Sequence, residues 1–216
     1  MPTLITSSIE SEISEKGYTI IRYPDSKNTE EILASLGDVI QTTEIRENPK
    51  STRLLVSSQP MDFHTDHNAA KYIAWHCNSQ SAVGGESLLI DTRHILAGYS
   101  ENTLSLLQEI SVKTHKVFYG DKLSIPLLST TEDEHVFGVY YASWLIGPQA
   151  SIKHTKALAK FQQDLAQAKP VELLLSEGDI LIIDNHRMLH GRAGFPPNSN
   201  RWLTRYWLKR SNISIF

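Results

Sequence analysis

The chain has 216 residues, 40% of them hydrophobic and 21% charged, with a formal net charge of −3. That length suits one domain with a substantial core, and that charge gives no basic footprint for nucleic acid. No apolar run approaches a membrane span, the N-terminus lacks the basic-then-apolar pattern of a secretion signal, and the single Cys77 fits a reducing compartment, so a cytoplasmic protein is expected.

No internal repeat, low-complexity tract or long Pro/Gly linker divides the chain, so residues 1–216 are expected to form a single domain. Residues 8–16 suit a short helix feeding a first strand, "GYTIIRYP". In "TEEILASLGDVIQ", 29–41, apolar residues at helical spacing follow an acidic first turn and predict a helix. From 52 onward strands dominate: "RLLVSS", "YIAWHCN" and "GESLLIDT" are short, rich in strand formers and bounded by turn residues. A helix with a Ser/Asn cap candidate is predicted over 100–110. Strands resume at "SVKTHKVFYG", "HVFGVYYASW", "VELLLSEGDILIID" and "RWLTRYWLK", with a helix at about 152–168. Many strands with a few peripheral helices point to a barrel or sandwich of the jelly-roll kind.

The polar cluster "MDFHTDHNAA", 61–70, raises the question of a metal site. With 9 histidines and 24 acidic residues, a His-x-Asp or His-x-Glu is expected about once by chance, so the tripeptide says little alone. If "FHTD" is extended, the period of two throws His64 and Asp66 to one face, where they could grip a single ion. The plain alternative is a capped turn with a hydrogen-bonded histidine. A third ligand must come from elsewhere, and "EGDILIIDNHRMLHGR", 177–192, offers His186 and His190 after an apolar strand and an Asp-Asn turn. Two histidines and one carboxylate on one side of a metal form the facial arrangement of non-haem Fe(II) oxygenases. Histidines four apart would share a helix face as in zinc hydrolases, but the glutamate of that motif is missing from "HRMLH" and the strand-then-Gly context argues against a helix. His67 reads as a solvated or supporting neighbour, and His76 as a core side chain.

A second constellation is cationic. In "RWLTRYW", Arg201 and Arg205 could face one cavity, with a bulge or turn, as a clamp for carboxylates; otherwise they are surface arginines on an edge strand. "GGES", 84–87, is a tight turn entering a strand, with Ser87 able to donate a hydrogen bond.

Taken in this order, "FHTD", "GGESLLID", "GDILIIDNHRMLHGRAGF" and "RWLTR" resemble the TauD/TfdA-like family of Fe(II)/2-oxoglutarate-dependent dioxygenases, including its clavaminate-synthase-like branch, over about 60–208. The resemblance implies a mainly β fold with peripheral helices around a double-stranded β-helix (jelly-roll) core. It implies that His64, Asp66 and His190 are the iron ligands, and that Ser87 and Arg201 hold the distal carboxylate of 2-oxoglutarate. Arg205 matches a position that contacts an acidic substrate or steadies the co-substrate. His186 stands where many members have arginine.

The implied cofactors are Fe(II) and the co-substrate 2-oxoglutarate, and the implied partners are O2 and a small-molecule substrate, with no nucleic acid or membrane. The implied reaction converts 2-oxoglutarate to succinate and CO2 while a substrate C–H bond is oxidised. Hydroxylation is favoured over halogenation, because Asp66 is present where halogenating relatives carry a small residue. Desaturation, cyclisation and epoxidation share the same start. An amino acid or similar small acid is the expected substrate, and Tyr140, Tyr141, Ser143 and Trp144 are candidates to line its pocket. A non-catalytic jelly-roll metal-binding or sensor protein and a zinc hydrolase are the readings from other classes.

Overall fold

A computed structural model describes residues 4–23, 26–130, 137–149 and 151–210. The first half of the chain runs α1 (Leu4–Lys16), β1 (Tyr18–Ile21), α2 (Ser26–Leu36), β2 (Asp38–Arg46), a 3-10 turn (Leu54–Val56), β3 (Met61–His64), β4 (Tyr72–Ser79) and β5 (Ser87–Asp91). It continues through α3 (Thr92–Leu96), α4 (Glu101–Glu109), β6 (Ser111–Lys113), β7 (Ser124–Pro126), β8 (Leu128–Thr130) and β9 (Phe137–Val139). A second 3-10 turn (Ser143–Leu145), α5 (Ile152–Gln167), β10 (Val171–Leu173), β11 (Ile180–Asp184), β12 (Met188–Arg192) and β13 (Trp202–Lys209) complete it.

Two antiparallel sheets build the body. One has the order β1-β11-β4-β13-β2 and the other β10-β5-β12-β3. Strand alternation decides which side chains meet between them. In β11, Leu181 and Ile183 point inward to a cluster with Ile73, Trp75, Leu89, Leu203 and Trp207, whereas Ile180 and Ile182 point outward beneath Ile9 and Ile13 of α1 and Ile32, Leu33 and Leu36 of α2. The outer face of the smaller sheet offers Ile90 and Leu189 to Leu107 of α4 and Phe161 of α5. This is the mainly β, double-stranded β-helix architecture with helices outside that the sequence led us to expect.

Several local expectations need correction. The helix expected over 29–41 stops at Leu36, because Gly37 must pass the Lys209 carbonyl so closely that a Cβ would lie 2.2 Å from its oxygen. Residues 38–46 are instead the edge strand β2, paired with β13. "RLLVSS" is a 3-10 turn and not a strand. Of "SVKTHKVFYG" only 111–113 is strand; the rest is the loop of a hairpin that closes on β7, with the Thr114 N–H donating to the Leu123 carbonyl at 3.1 Å. "HVFGVYYASW" is strand only over 137–139 and then a 3-10 turn, while 135 and 136 lie outside the described residues. "VELLLSEGDILIID" divides into β10 and β11, one for each sheet.

Candidate metal centre

The site lies where β12 runs between β5 and β3. Register sets His190 directly opposite His64, and both side chains turn inward. Gly191 permits this approach, since a Cβ there would sit 2.8 Å from the Met61 carbonyl oxygen. The strand ends at His64, so Asp66 is not presented by strand alternation as expected. Its loop is fixed from across the fold: the Asp66 N–H donates to Asn185 Oδ1 at 2.8 Å, and Asn185 Nδ2 donates to the His67 and Ala70 carbonyls at 3.2 and 2.9 Å.

The result is a buried His64–Asp66–His190 cluster whose donor atoms lie within 4.8 Å of one another. Nε2 of each histidine is 3.9 Å from Asp66 Oδ1. Two ligands bound at about 2.0–2.2 Å to one metal can be no more than about 4.4 Å apart, so a small contraction closes the site. His64 Nδ1 donates to the Asp62 carbonyl at 2.8 Å, which leaves the Nε2 lone pair for a metal. Burial lowers the pKa of His64, and burial with the nearby His64 pushes His190 down to about 3, so both imidazoles are neutral at ordinary pH. Burial opposes ionisation of Asp66, but the Arg205 charge and the hydrogen bond from Trp207 help to hold the carboxyl below its usual range. Arg205 Nη1 contacts Asp66 Oδ1 and Oδ2 at 3.0 and 2.9 Å, and Trp207 Nε1 donates to Oδ2 at 2.8 Å. Neutral histidines beside an ionised carboxylate are the donor set a divalent cation requires.

A narrow cavity opens from the histidines into the space between the sheets. Its lining includes Trp75, Ser87, Leu181, Arg201, Leu203 and Arg205. Both arginines line this cavity: Arg201 stands just before β13, and the pairing of β13 with β4 shifts register between Trp202 and Leu203. Arg201 makes no side-chain hydrogen bond among the described residues; its Nε is buried without a partner, and the Phe195 ring lies 5.4 Å from its guanidinium carbon. Burial, reinforced by Arg192, lowers its pKa to about 10, which still leaves it cationic at neutral pH. Gly85, at φ +78°, makes room for it, since a Cβ would come within 2.9 Å of Arg201 Nε.

The sequence matches the family described as "Taurine catabolism dioxygenase TauD, TfdA family" over residues 7–207. The chain belongs to the TauD/TfdA family. It is 30% identical to the 3-((Z)-2-isocyanoethenyl)-1H-indole synthase of Fischerella ambigua (strain UTEX 1903), a match covering 74% of this chain and 67% of that protein. In fold it is similar to an asparagine oxygenase solved with Fe(II), 2S,3S-3-hydroxyasparagine and succinate, at a TM-score of 0.78 and 16% identity, with 96% of this chain and 80% of that one covered. It is also similar to the non-heme iron oxygenase OrfP solved with Fe and alpha-ketoglutaric acid, at a TM-score of 0.75 and 18% identity, covering 98% and 81%.

As a TauD/TfdA dioxygenase the chain uses iron and 2-oxoglutarate, and the residues present fit both. The three-donor cluster suits the metal. An unpartnered, buried guanidinium lining the adjoining cavity suits a dicarboxylate, because a buried cation without a counter-charge is costly. Of the six residues singled out in the sequence, His64, Asp66 and His190 come together, and Ser87, Arg201 and Arg205 line the cavity beside them or contact Asp66. His186 points elsewhere, with Nε2 2.8 Å from the Asn68 carbonyl. His67 is buried, not solvated: it stacks on Trp207 and meets Asp121 Oδ2 at 3.1 Å.

Sequence reasoning missed Asn185, Trp207 and Arg192. Asn185 was legible only as a turn residue. Trp207 and Arg192 lie two residues beyond Arg205 and His190, so the same alternation could have found them. Arg192 also lines the cavity, but its guanidinium is engaged by the carbonyls of Leu55, Ser57 and Gln59 at 3.2, 2.7 and 2.6 Å.

Proposed function

We propose that His64, Asp66 and His190 hold Fe(II), and that Arg201 with Ser87 holds the distal carboxylate of 2-oxoglutarate. The enzyme hydroxylates a C–H bond of a small acidic substrate such as an amino acid or its derivative. The observation carrying this reading is the unpartnered Arg201 in a cavity that opens onto the His-Asp-His cluster.

Bound Fe(II) and 2-oxoglutarate supply the oxidising power for C–H cleavage, and 2-oxoglutarate leaves as succinate and CO2. The chain's residues supply position and exclusion of water. Asn185 fixes the backbone of Asp66, while Arg205 and Trp207 fix its carboxylate, so that it cannot swing away from the histidines. Ile45, Trp75, Leu181 and Leu203 give the co-substrate cavity apolar walls, which strengthens the pairing of Arg201 with a carboxylate. Asp66 also keeps a carboxylate in the position that a halide would need, which favours oxygen transfer.

Support for an amino-acid substrate comes from two proteins of this fold, solved with hydroxyasparagine and with (3S)-hydroxy-L-Arg. A second reading, desaturation, is favoured by the Fischerella relative, whose product, by that enzyme's name, carries an ethenyl group. One assay tests both. Purified protein with Fe(II), ascorbate and 2-oxoglutarate should release succinate when a panel of amino acids and N-substituted derivatives is supplied. Mass spectrometry then reads hydroxylation as the gain of one oxygen and desaturation as the loss of two hydrogens. Absence of substrate-stimulated succinate across the panel, or activity that survives Asp66→Ala, would sink the reading.

A further inference from the structure

The mouth of the site has a chemistry unlike that of the co-substrate cavity. Trp144, in the second 3-10 turn, is 45% exposed and lies with its ring centroid 5.3 Å from that of His64. It is an apolar ring left in solvent directly against a metal-site histidine. Four residues earlier, Tyr140 is 5% exposed, and its buried hydroxyl donates no hydrogen bond among the described residues. Neighbouring backbone contacts fix the alternation of this segment. The Thr65 N–H donates to the Tyr141 carbonyl at 2.8 Å, Ala142 bridges to His64, and the Tyr141 ring turns away to pack edge-on against Phe161.

Tyr140 packs into the same apolar cluster as Tyr141, but its hydroxyl feels the charges of Asp66 and Asp121 and has the His115 main chain, from the 114–123 loop, as a polar neighbour. Neither Tyr140 nor Trp144 lines the cavity of Arg201 and Ser87. A donor from the His115 main chain leaves the phenolic O–H itself without an acceptor, and a buried O–H is normally paired, so this one calls for an accepting ligand group.

We propose that Tyr140 and Trp144 form the substrate subsite of this centre: Trp144 is the platform for an apolar, planar part of the substrate, and the Tyr140 hydroxyl donates a hydrogen bond to a carbonyl or carboxylate oxygen beside it. The inference rests on the oxygenase reading above and deepens it by naming what the substrate presents. Burial raises the pKa of Tyr140, so the phenol stays protonated and acts as donor. On this view the cations of the site serve the carboxylates of 2-oxoglutarate and Asp66. Substrate selection falls to an aromatic surface with one hydrogen-bond donor.

The test is an anaerobic titration of the Fe(II)–2-oxoglutarate enzyme with N-formyl-L-tryptophan, N-formyl-L-phenylalanine, L-asparagine and taurine. It is followed by the visible band that forms when 2-oxoglutarate chelates Fe(II). The aromatic probes should perturb the band saturably and bind at least tenfold more tightly than L-asparagine or taurine. Trp144→Ala should remove that preference, and Tyr140→Phe, which keeps the ring, should weaken the aromatic probes about fivefold to tenfold. Both variants should still form the band. No saturable binding of an aromatic probe, tighter binding of L-asparagine or taurine, or unchanged affinities in both variants would overturn the subsite while leaving the oxygenase reading intact. Failure of the wild-type protein to form the band at all would instead overturn the parent reading, and the subsite with it.

Discussion

Arg187 and Arg201 are almost equally buried, at 6% and 5% exposed, but their surroundings are opposite. Arg187 Nε donates to Asp91 Oδ1 at 3.0 Å, and its Nη atoms reach Asp91 Oδ2 and the carbonyls of Ile13, Ser14 and Glu15 at the end of α1. Its charge and its donors are accounted for within the protein. Arg201 has a neighbouring aromatic ring and no hydrogen-bond partner for its side chain among the described residues. A buried charge with every donor engaged ties elements together, whereas a buried charge with none, facing a cavity, is held ready for something that arrives later. Burial alone does not separate the two; the account of hydrogen bonds does.

Removing each arginine should separate stability from binding. Arg187→Ala leaves Asp91 without its buried counter-charge and removes the hydrogen bonds to the end of α1, at a cost of about 3–5 kcal/mol. For a chain of this size that is a fall in Tm of about 6–20 °C, measured by calorimetry without ligands. Arg201→Ala should leave the Tm of the cofactor-free protein unchanged or raise it, since it removes an uncompensated buried charge. Its effect should appear as a rise in the 2-oxoglutarate dissociation constant of about 30-fold to 1000-fold, the size seen when one partner of a buried charge pair is deleted. A large Tm loss for Arg201→Ala with unchanged 2-oxoglutarate affinity would erase the contrast.

Asn185 tests whether the support around Asp66 belongs with the structural or the functional group. It bonds only to backbone, across 119 and 115 residues of chain, yet what it positions is a candidate ligand. Asn185→Ala should weaken Fe(II) binding about 10-fold to 100-fold, read by metal titration, with the near-UV circular dichroism of the fold retained. Unchanged metal affinity would show that the 65–70 loop holds its own shape.

The same division explains what could be read in the sequence. His190 was legible as one of two histidines that follow an apolar strand and a turn, and the Arg201/Arg205 pair as a cationic cluster close to it in the chain, although Arg201 stands just before β13. The strand "ILII" was legible as a short continuous apolar run closed by a turn signal, and it is buried on both faces as β11. Asp66 was identified through an extended "FHTD" that does not exist, since β3 ends at His64; the residue reaches the site because Asn185 pins its backbone. Such a long-range side-chain-to-backbone bond leaves no periodic trace. The edge strand β2 was hidden because "GDVIQ" continues a helical spacing, and only contact with the Lys209 backbone at Gly37 decides against it. Residues 53–58 read as strand from composition, but the carbonyls of Leu54, Leu55 and Ser57 are turned to Arg192, a partner more than 130 positions away.

The smallest expected effect is at Ser87, and it refines the assignment of Arg201. Ser87 begins β5, lies opposite Arg192 in register and lines the same cavity. Its hydroxyl can add one hydrogen bond to a carboxylate whose charge Arg201 already matches. A single such bond contributes about 1 kcal/mol, so Ser87→Ala should raise the KM for 2-oxoglutarate about fivefold and leave kcat nearly unchanged. Ser87→Thr, which keeps the hydroxyl, should restore it. The ratio between the two variants is the informative quantity. If Ser87→Ala weakens 2-oxoglutarate as much as Arg201→Ala does, the carboxylate is held by hydrogen bonding and not by charge, and the unpartnered guanidinium needs another anion to explain it.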